Sequence, residues 1–176
     1  MKIIGIDPSL TSTGIAHADG RTTRVHFGAR PKRLTLDQWT VRRVRVVVAA
    51  ITMASQTADL AVIEGYSYGS KQKREPLGYL GYSVRAELSR LGVPYLDVAP
   101  TALKKFATGS GTASKDEMKS AAIRLLRLDH NASHDEADAL WLRELGRHMT
   151  ASTSRISPSD RTKHLSKLEL PKGLQK

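Results

Sequence analysis

The chain has 176 residues, and its 28 Lys and Arg against 17 Asp and Glu give a formal charge of +11 and a pI near 10.1. That length suits one domain with a core of its own and argues against folds that need two. The absence of cysteine excludes disulfides, thiolate metal sites and cysteine nucleophiles, while the charge points to a polyanionic partner, most commonly nucleic acid.

The amino terminus, MKIIGIDPSL, lacks the 7–15-residue apolar run of a secretory signal, and no stretch approaches the ~18 uncharged apolar residues of a membrane span. A soluble, cytoplasmic protein is expected. Lys2–Asp7 reads as a strand buried on both faces, closed by Pro8, which cannot donate to a sheet. Gly14–His17 and Thr22–Phe27 are two further short strands joined by the turn Ala18-Asp19-Gly20, so the chain opens as an antiparallel meander. Thr35 and Gln38 fit a capping box, and Leu36, Trp39, Val44, Val47 and Ile51 follow at near-helical spacing. Leu60–Glu64 is a second apolar strand that ends in an acid. An amphipathic helix over 76–91 and a strand over Val93–Val98 come next. Ser114 with Glu117, and Ser133 with Glu136, open two more helices, to about Leu128 and through Leu145.

From Thr150 onward Ser, Thr, Pro and Lys dominate, which predicts a folded domain over 1–149 and a basic, flexible tail over 150–176. Residues 151–176 carry +4 and residues 1–150 carry +7, so much of the polyanion-binding surface should lie on the body. The element order is β-β-β-α-β-α-β-α-α, an α/β chain with a mixed sheet covered by helices.

Asp7 and Glu64 end the two most apolar strands. At a strand's carboxyl end an acid can point into the crevice where ligands of α/β sheets gather, or it can simply mark the exit into solvent. Asp135 and Asp138 stand three apart on one helical face, where like charges repel. Ordinary capping by the helix amino terminus would compensate them, and so would a hard divalent cation such as Mg²⁺. Glu136 is better explained as the capping partner of Ser133. Together the four acids suggest a metal site on a basic protein, where two cations ~3.5–4 Å apart could activate water at a phosphodiester.

These motifs resemble those of a known family. IGIDPSLTSTGIA is similar to the opening strand and turn of RuvC-type Holliday-junction resolvases, VIEGYSYG to their second motif and HDEADAL to their last. The resemblance covers about residues 1–145. It implies an RNase H-like fold with a five-stranded mixed sheet of order 3-2-1-4-5 flanked by helices. It implies a homodimeric endodeoxyribonuclease that cuts four-way or other branched DNA symmetrically, using Mg²⁺ or Mn²⁺ and leaving 5′-phosphates. The matching catalytic and metal-binding residues are Asp7, Glu64, Asp135 and Asp138. Lysines that contact the scissile region fall on Lys104 and Lys115, and DNA contacts are expected from Tyr66, Tyr68, Lys71, Lys73 and Arg74. Some family members carry a histidine in place of the third acid; here Asp135 fills that register, and His134, one residue early, reads as a helix-start residue.

Other readings compete. A sugar-kinase or actin-like ATPase shares the Gly-Ile-Asp opening but needs two related domains. Another RNase H-like nuclease, cutting forks, flaps or RNA–DNA hybrids, would share the fold. A junction-binding protein without catalysis would be hindered by four carboxylates, which repel DNA.

Overall fold

The structure, a computed structural model, describes residues 1–65, 74–150, 154 and 162–174. Five strands, β1 (Ile3–Asp7), β2 (Ser12–Ala16), β3 (Thr22–His26), β4 (Leu60–Glu64) and β5 (Tyr95–Val98), form one sheet of order β3-β2-β1-β4-β5. The first three strands make the expected antiparallel meander, while β4 and β5 join in parallel on the other side. Each parallel step is bridged by a helix, α1 (Leu36–Ser55) before β4 and α2 (Arg74–Arg90) before β5, since a parallel neighbour cannot be reached through a tight turn. The helices α3 (Pro100–Thr108), α4 (Lys115–Leu126) and α5 (His134–Met149) complete the body. Among the described residues no helix is long and apolar enough to cross a membrane.

Side chains alternate across the sheet, and the two faces bury separate cores. Ile4, Ile6, Ile15, Ala61 and Ile63 pack with Val47, Ile51, Leu80 and Val84 of α1 and α2. On the opposite face Ile3, Leu60, Val62, Leu96 and Val98 pack with α3, α4 and α5 around Phe106 and Trp141. Trp141 is fully buried, meets Phe106 edge-on, and donates its indole N–H to the Met118 carbonyl at 3.0 Å, tying α5 to α4.

The three capping boxes are all present: Thr35 with Gln38, Ser114 with Glu117, and Ser133 with Glu136. Two segments depart from the sequence reading. The helix α3 was not anticipated, although Pro100 occupies its first turn, Gly109 ends it in the left-handed conformation (φ 90°), and Leu103, Phe106 and Ala107 form its buried stripe. In the stretch read as a flexible tail, residues 162–174 lie on the body. A short 3₁₀ helix, Lys163–Lys167, buries Leu165 in the α3–α5 core, with Leu168, Leu170 and Leu174 packed beside it. His164 Nε2 sits 2.9 Å from the Ala102 carbonyl.

Candidate active site

The parallel register Ile3↔Leu60 through Ile6↔Ile63 brings the next residues, Asp7 and Glu64, side by side on adjacent strand ends. Alternation turns both toward the face covered by α5. In the other direction Asp7 is paired with Gly14 of β2, and Gly14 with Arg24 of β3. One row across the sheet therefore reads Glu64, Asp7, Gly14, Arg24.

The first turn of α5 is pressed onto this row, and glycines make the approach possible. A Cβ at Gly14 would lie 1.9 Å from the Asp135 carbonyl oxygen, and one at Gly5 would lie 2.0 Å from the Ala139 carbonyl oxygen. Further along, a Cβ at Gly146 would lie 2.6 Å from a Val62 methyl. The α5 backbone thus rests directly on β1 and β2. Its register is fixed at the amino end by Ser133, whose hydroxyl accepts from the Glu136 N–H at 3.2 Å, and by Glu136, which accepts from the Ser133 N–H (2.8 Å) and the Thr22 hydroxyl (2.9 Å). Glu136 is thereby occupied outside the acid cluster. Gly5 and Gly14 went unnoticed in the sequence reading; a glycine inside a strand was the available signal, since it marks a close backbone approach.

The four acids act on one another. Asp7 is 7% exposed, and its carboxyl sits well above the usual carboxylate range, first through burial and then through the charges of Glu64 and Asp138. Glu64 is also raised by burial, against the opposing pull of its hydrogen bond with Asp7 and the charges of Lys115 and Lys104. Asp138, 9% exposed, is pushed up to about 7, chiefly by burial and then by the Glu64 charge. Asp135 lies within reach of all three and pairs at 3.9 Å with Lys115, the first residue of α4. Among the described residues no three such side chains are gathered tightly enough to grip a metal ion as they stand. Burial and mutual repulsion favour the protonated form of Asp7, whose side chain lies within hydrogen-bonding reach of Glu64. An all-oxygen donor set of buried, mutually repelling acids suits a hard divalent cation, which would relieve the same strain.

The structure brings Asp7, Glu64, Asp135 and Asp138 into one electrostatic cluster, with Lys104 and Lys115 at its edge. His134 turns away: its ring lies 2.8 Å from Asp116 of α4, on the surface. Tyr66, Tyr68, Lys71 and Lys73 lie outside the described residues, and Arg74 is described only as the start of α2.

Comparison with known proteins bears on this arrangement. The family described as crossover junction endodeoxyribonuclease RuvC matches residues 3–143. The chain is 31% identical over 183 residues to the crossover junction endodeoxyribonuclease RuvC of Bordetella avium, covering 98% of each. It is 28% identical to that of Paenarthrobacter aurescens, covering 92% of each. In fold it is similar to the Thermus thermophilus RuvC structure (TM-score 0.60, 20% identity, 81% of this chain and 91% of that one). It is equally similar to T. thermophilus RuvC in complex with a Holliday junction substrate (TM-score 0.61, 19% identity, 80% and 89%). With the sheet order, the buried acids at its crest and a match over most of its length, the chain belongs to the RuvC family of crossover junction endodeoxyribonucleases.

Proposed function

We propose that this protein resolves four-way DNA junctions by divalent-metal-dependent hydrolysis, with Asp7, Glu64, Asp135 and Asp138 holding the metal beside the scissile phosphodiester. The observation that carries the reading is the convergence of Asp7 and Glu64, on neighbouring strand ends, with Asp138 of α5, where burial and mutual repulsion raise the proton affinity of all three on an otherwise basic protein. Structure alone rarely requires such an arrangement, and it costs stability unless a cation is bound.

Mg²⁺ is the proposed ion, with Mn²⁺ able to replace it, because every candidate ligand is a hard oxygen. Bound there, a pair of ions would supply an activated water and stabilise the oxygens that attack and leave the phosphorus. The protein's own part is placement. Asp7 and Glu64 are fixed by strand ends, and Asp135 and Asp138 by a helix turn that cannot move without lifting off Gly14. Lys104 and Lys115, whose charges reach Glu64, would draw the phosphate toward the acids. Tyr66, Tyr68, Lys71, Lys73 and Arg74, on the segment that leaves Glu64, are proposed to meet the DNA near the crossover. Two copies acting as a homodimer in the cytoplasm would cut opposing strands at symmetric positions and leave 5′-phosphates.

The first test is Asp7→Asn, which keeps the side chain's size and removes its charge. Cutting of a labelled four-way junction in Mg²⁺ should fall ~10³-fold or more, as loss of several kcal/mol of charge stabilisation requires, while junction binding stays within about threefold. Undiminished cutting would remove Asp7 from the chemistry. Faster cutting of forks, flaps or RNA–DNA hybrids by the unaltered protein would reassign the substrate and leave the site in place.

A further inference from the structure

The two lysines beside the acids stand on unequal supports. Lys115 opens α4, whose start is closed by the capping box of Ser114 and Glu117. Lys104 stands on α3, which is 9 residues long and whose N-cap, Ala99, offers no side-chain hydrogen bond to the first turn. A helix so short is marginal by itself, and an uncapped start weakens it further, so packing must hold it in place. Its entry is fixed by the sheet. Val98, the last residue of β5, pairs with Glu64 and accepts from the Gly65 N–H at 2.8 Å, and α3 begins two residues later. Lys104 therefore lies about one helical turn beyond a strand end that adjoins Glu64, and its charge reaches that carboxylate.

Successive residues turn by ~100° around a helix, so Ala102 and Lys104 lie on opposite flanks of the buried stripe Leu103, Phe106 and Ala107. Phe106 anchors the stripe against Trp141 and His148 of α5. A cylinder held along one stripe can still roll about it. The flank away from Lys104 is closed by the carboxyl-terminal segment. The 3₁₀ helix Lys163–Lys167 brings His164 Nε2 to 2.9 Å from the Ala102 carbonyl, and since a carbonyl only accepts, the ring N–H donates. Leu165, 5% exposed, enters the core that holds Leu103 and Phe106, and Leu168, Leu170 and Leu174 pack against the same core. A loosely attached extension needs no such anchorage, and none of these residues touches the acids.

We infer that residues 162–174 form a strap that wedges α3 from its far flank and so keeps Lys104 beside the carboxylates, with His164 and Leu165 as positioning residues for strand cutting. The inference rests on the nuclease reading above and adds to it the element that sets one of its cations. The lever is short. A roll of α3 by ~20° would carry a side-chain tip ~6 Å from the axis through ~2 Å, and a misplacement of ~1 Å at an active site can cost ~10²-fold in rate.

The test is made on full-length chains in Mg²⁺, well below their melting range. His164→Leu, which keeps bulk and removes the donor, is combined with Leu165→Ala; the pair should cut a labelled four-way junction ~10-fold more slowly or worse. His164→Gln, which keeps an N–H at similar reach, should cut within about twofold of the unaltered chain. In a Lys104→Gln background the same pair should slow cutting by less than about twofold further, because the group it positions is already gone. Losses that multiply in full would overturn the strap's action through Lys104. Amide exchange gives the independent readout: in the pair the α3 amides should exchange at least ~10-fold faster while those of α5 keep their rates. Unchanged exchange in α3 sinks the proposal as well. Should the pair not fold, His164→Leu alone carries both comparisons, with an expected loss of about threefold in cutting. Absence of cutting by the unaltered chain would instead remove the nuclease reading, and the exchange rates would still decide whether the strap holds α3.

Discussion

The two faces of the sheet are packed by different means. Toward α1 and α2 the contact is bulk: Ile4, Ile6, Ile15 and Ile63 meet Val44, Val47, Ile51 and Leu80, and side chains keep helix and sheet apart. Toward α5 the contact is close: at Gly5 and Gly14 there is no side chain, and helix backbone rests on strand backbone. The first arrangement gives stability that tolerates repacking, since apolar burial is non-directional. The second fixes position, because a peptide carbonyl stacked on a glycine has almost no freedom to shift. The acids are divided accordingly, with Asp7 and Glu64 on the strands and Asp135 and Asp138 on the helix that the glycines admit.

The sharpest way to break this comparison is to add one methyl to each kind of contact's weak point. Gly14→Ala places a carbon 1.9 Å from the Asp135 carbonyl, a clash with backbone that no rotamer can relieve. We expect a loss of ~3 kcal/mol or more from overpacking. The surviving fold should cut at least ~10²-fold more slowly, because α5 must lift and carry Asp135 and Asp138 with it. Ile51→Ala, fully buried in the other core, should cost a similar ~2–5 kcal/mol through its cavity and leave cutting below the melting range within about twofold. Thermal unfolding and junction cutting, measured on both variants, decide it. Activity that simply follows stability in both would show that the glycine contacts have no special positioning role.

The next effect concerns protons. Asp138 titrates at about 7 in the folded protein against a usual value near 3.8, because burial and the Glu64 charge favour its neutral form. A carboxylate raised on folding holds its proton more tightly in the native state, so its contribution is present below the unfolded value and is lost as pH rises through the folded one. For Asp138 that window runs from about 4 to about 7, with at most on the order of 4 kcal/mol at stake. In chelator the unfolding temperature should therefore fall across this window, and Asp138→Asn should flatten the fall. With Mg²⁺ the trend should weaken or reverse, since the cation binds the ionised form. An unchanged slope in Asp138→Asn would assign the titration to the Asp7–Glu64 pair alone.

The legibility of these features in the sequence follows from how local their causes are. The strands carrying Asp7 and Glu64 are five-residue apolar runs, and a run that ends in an acid declares its own boundary. The three capping boxes are equally local, each a Ser or Thr with its partner three residues on. Helix α3 was obscured because Pro100 also reads as a turn and nine residues carry little periodicity, although Pro at the first turn and Gly109 just past the last mark its ends. The packing of 162–174 was masked by composition: Leu165, Leu168, Leu170 and Leu174 lie scattered among Lys, Ser and Pro, and only the groove they enter makes them core. The contact of Gly14 with Asp135 was the least legible, since its cause lies more than a hundred residues away.

The smallest expected effect separates two neighbours on α5. His134 and Asp135 differ by one position, or ~100° around the helix, and the fold sends them to different surroundings. Asp135 points toward the row of acids and pairs with Lys115, while His134 reaches outward to Asp116, a carboxylate that is 91% exposed. A pair that exposed contributes little, because water screens it. His134→Ala should therefore change stability by less than about 0.5 kcal/mol and leave cutting within about twofold across pH 6–8. Asp135→Asn in the same assay should cut at least ~10²-fold more slowly. A histidine that served as proton donor or acceptor in the reaction would instead shift the pH profile of cutting when removed. Such a shift would place the working register of α5 one residue earlier than Gly14, Ser133 and Glu136 fix it.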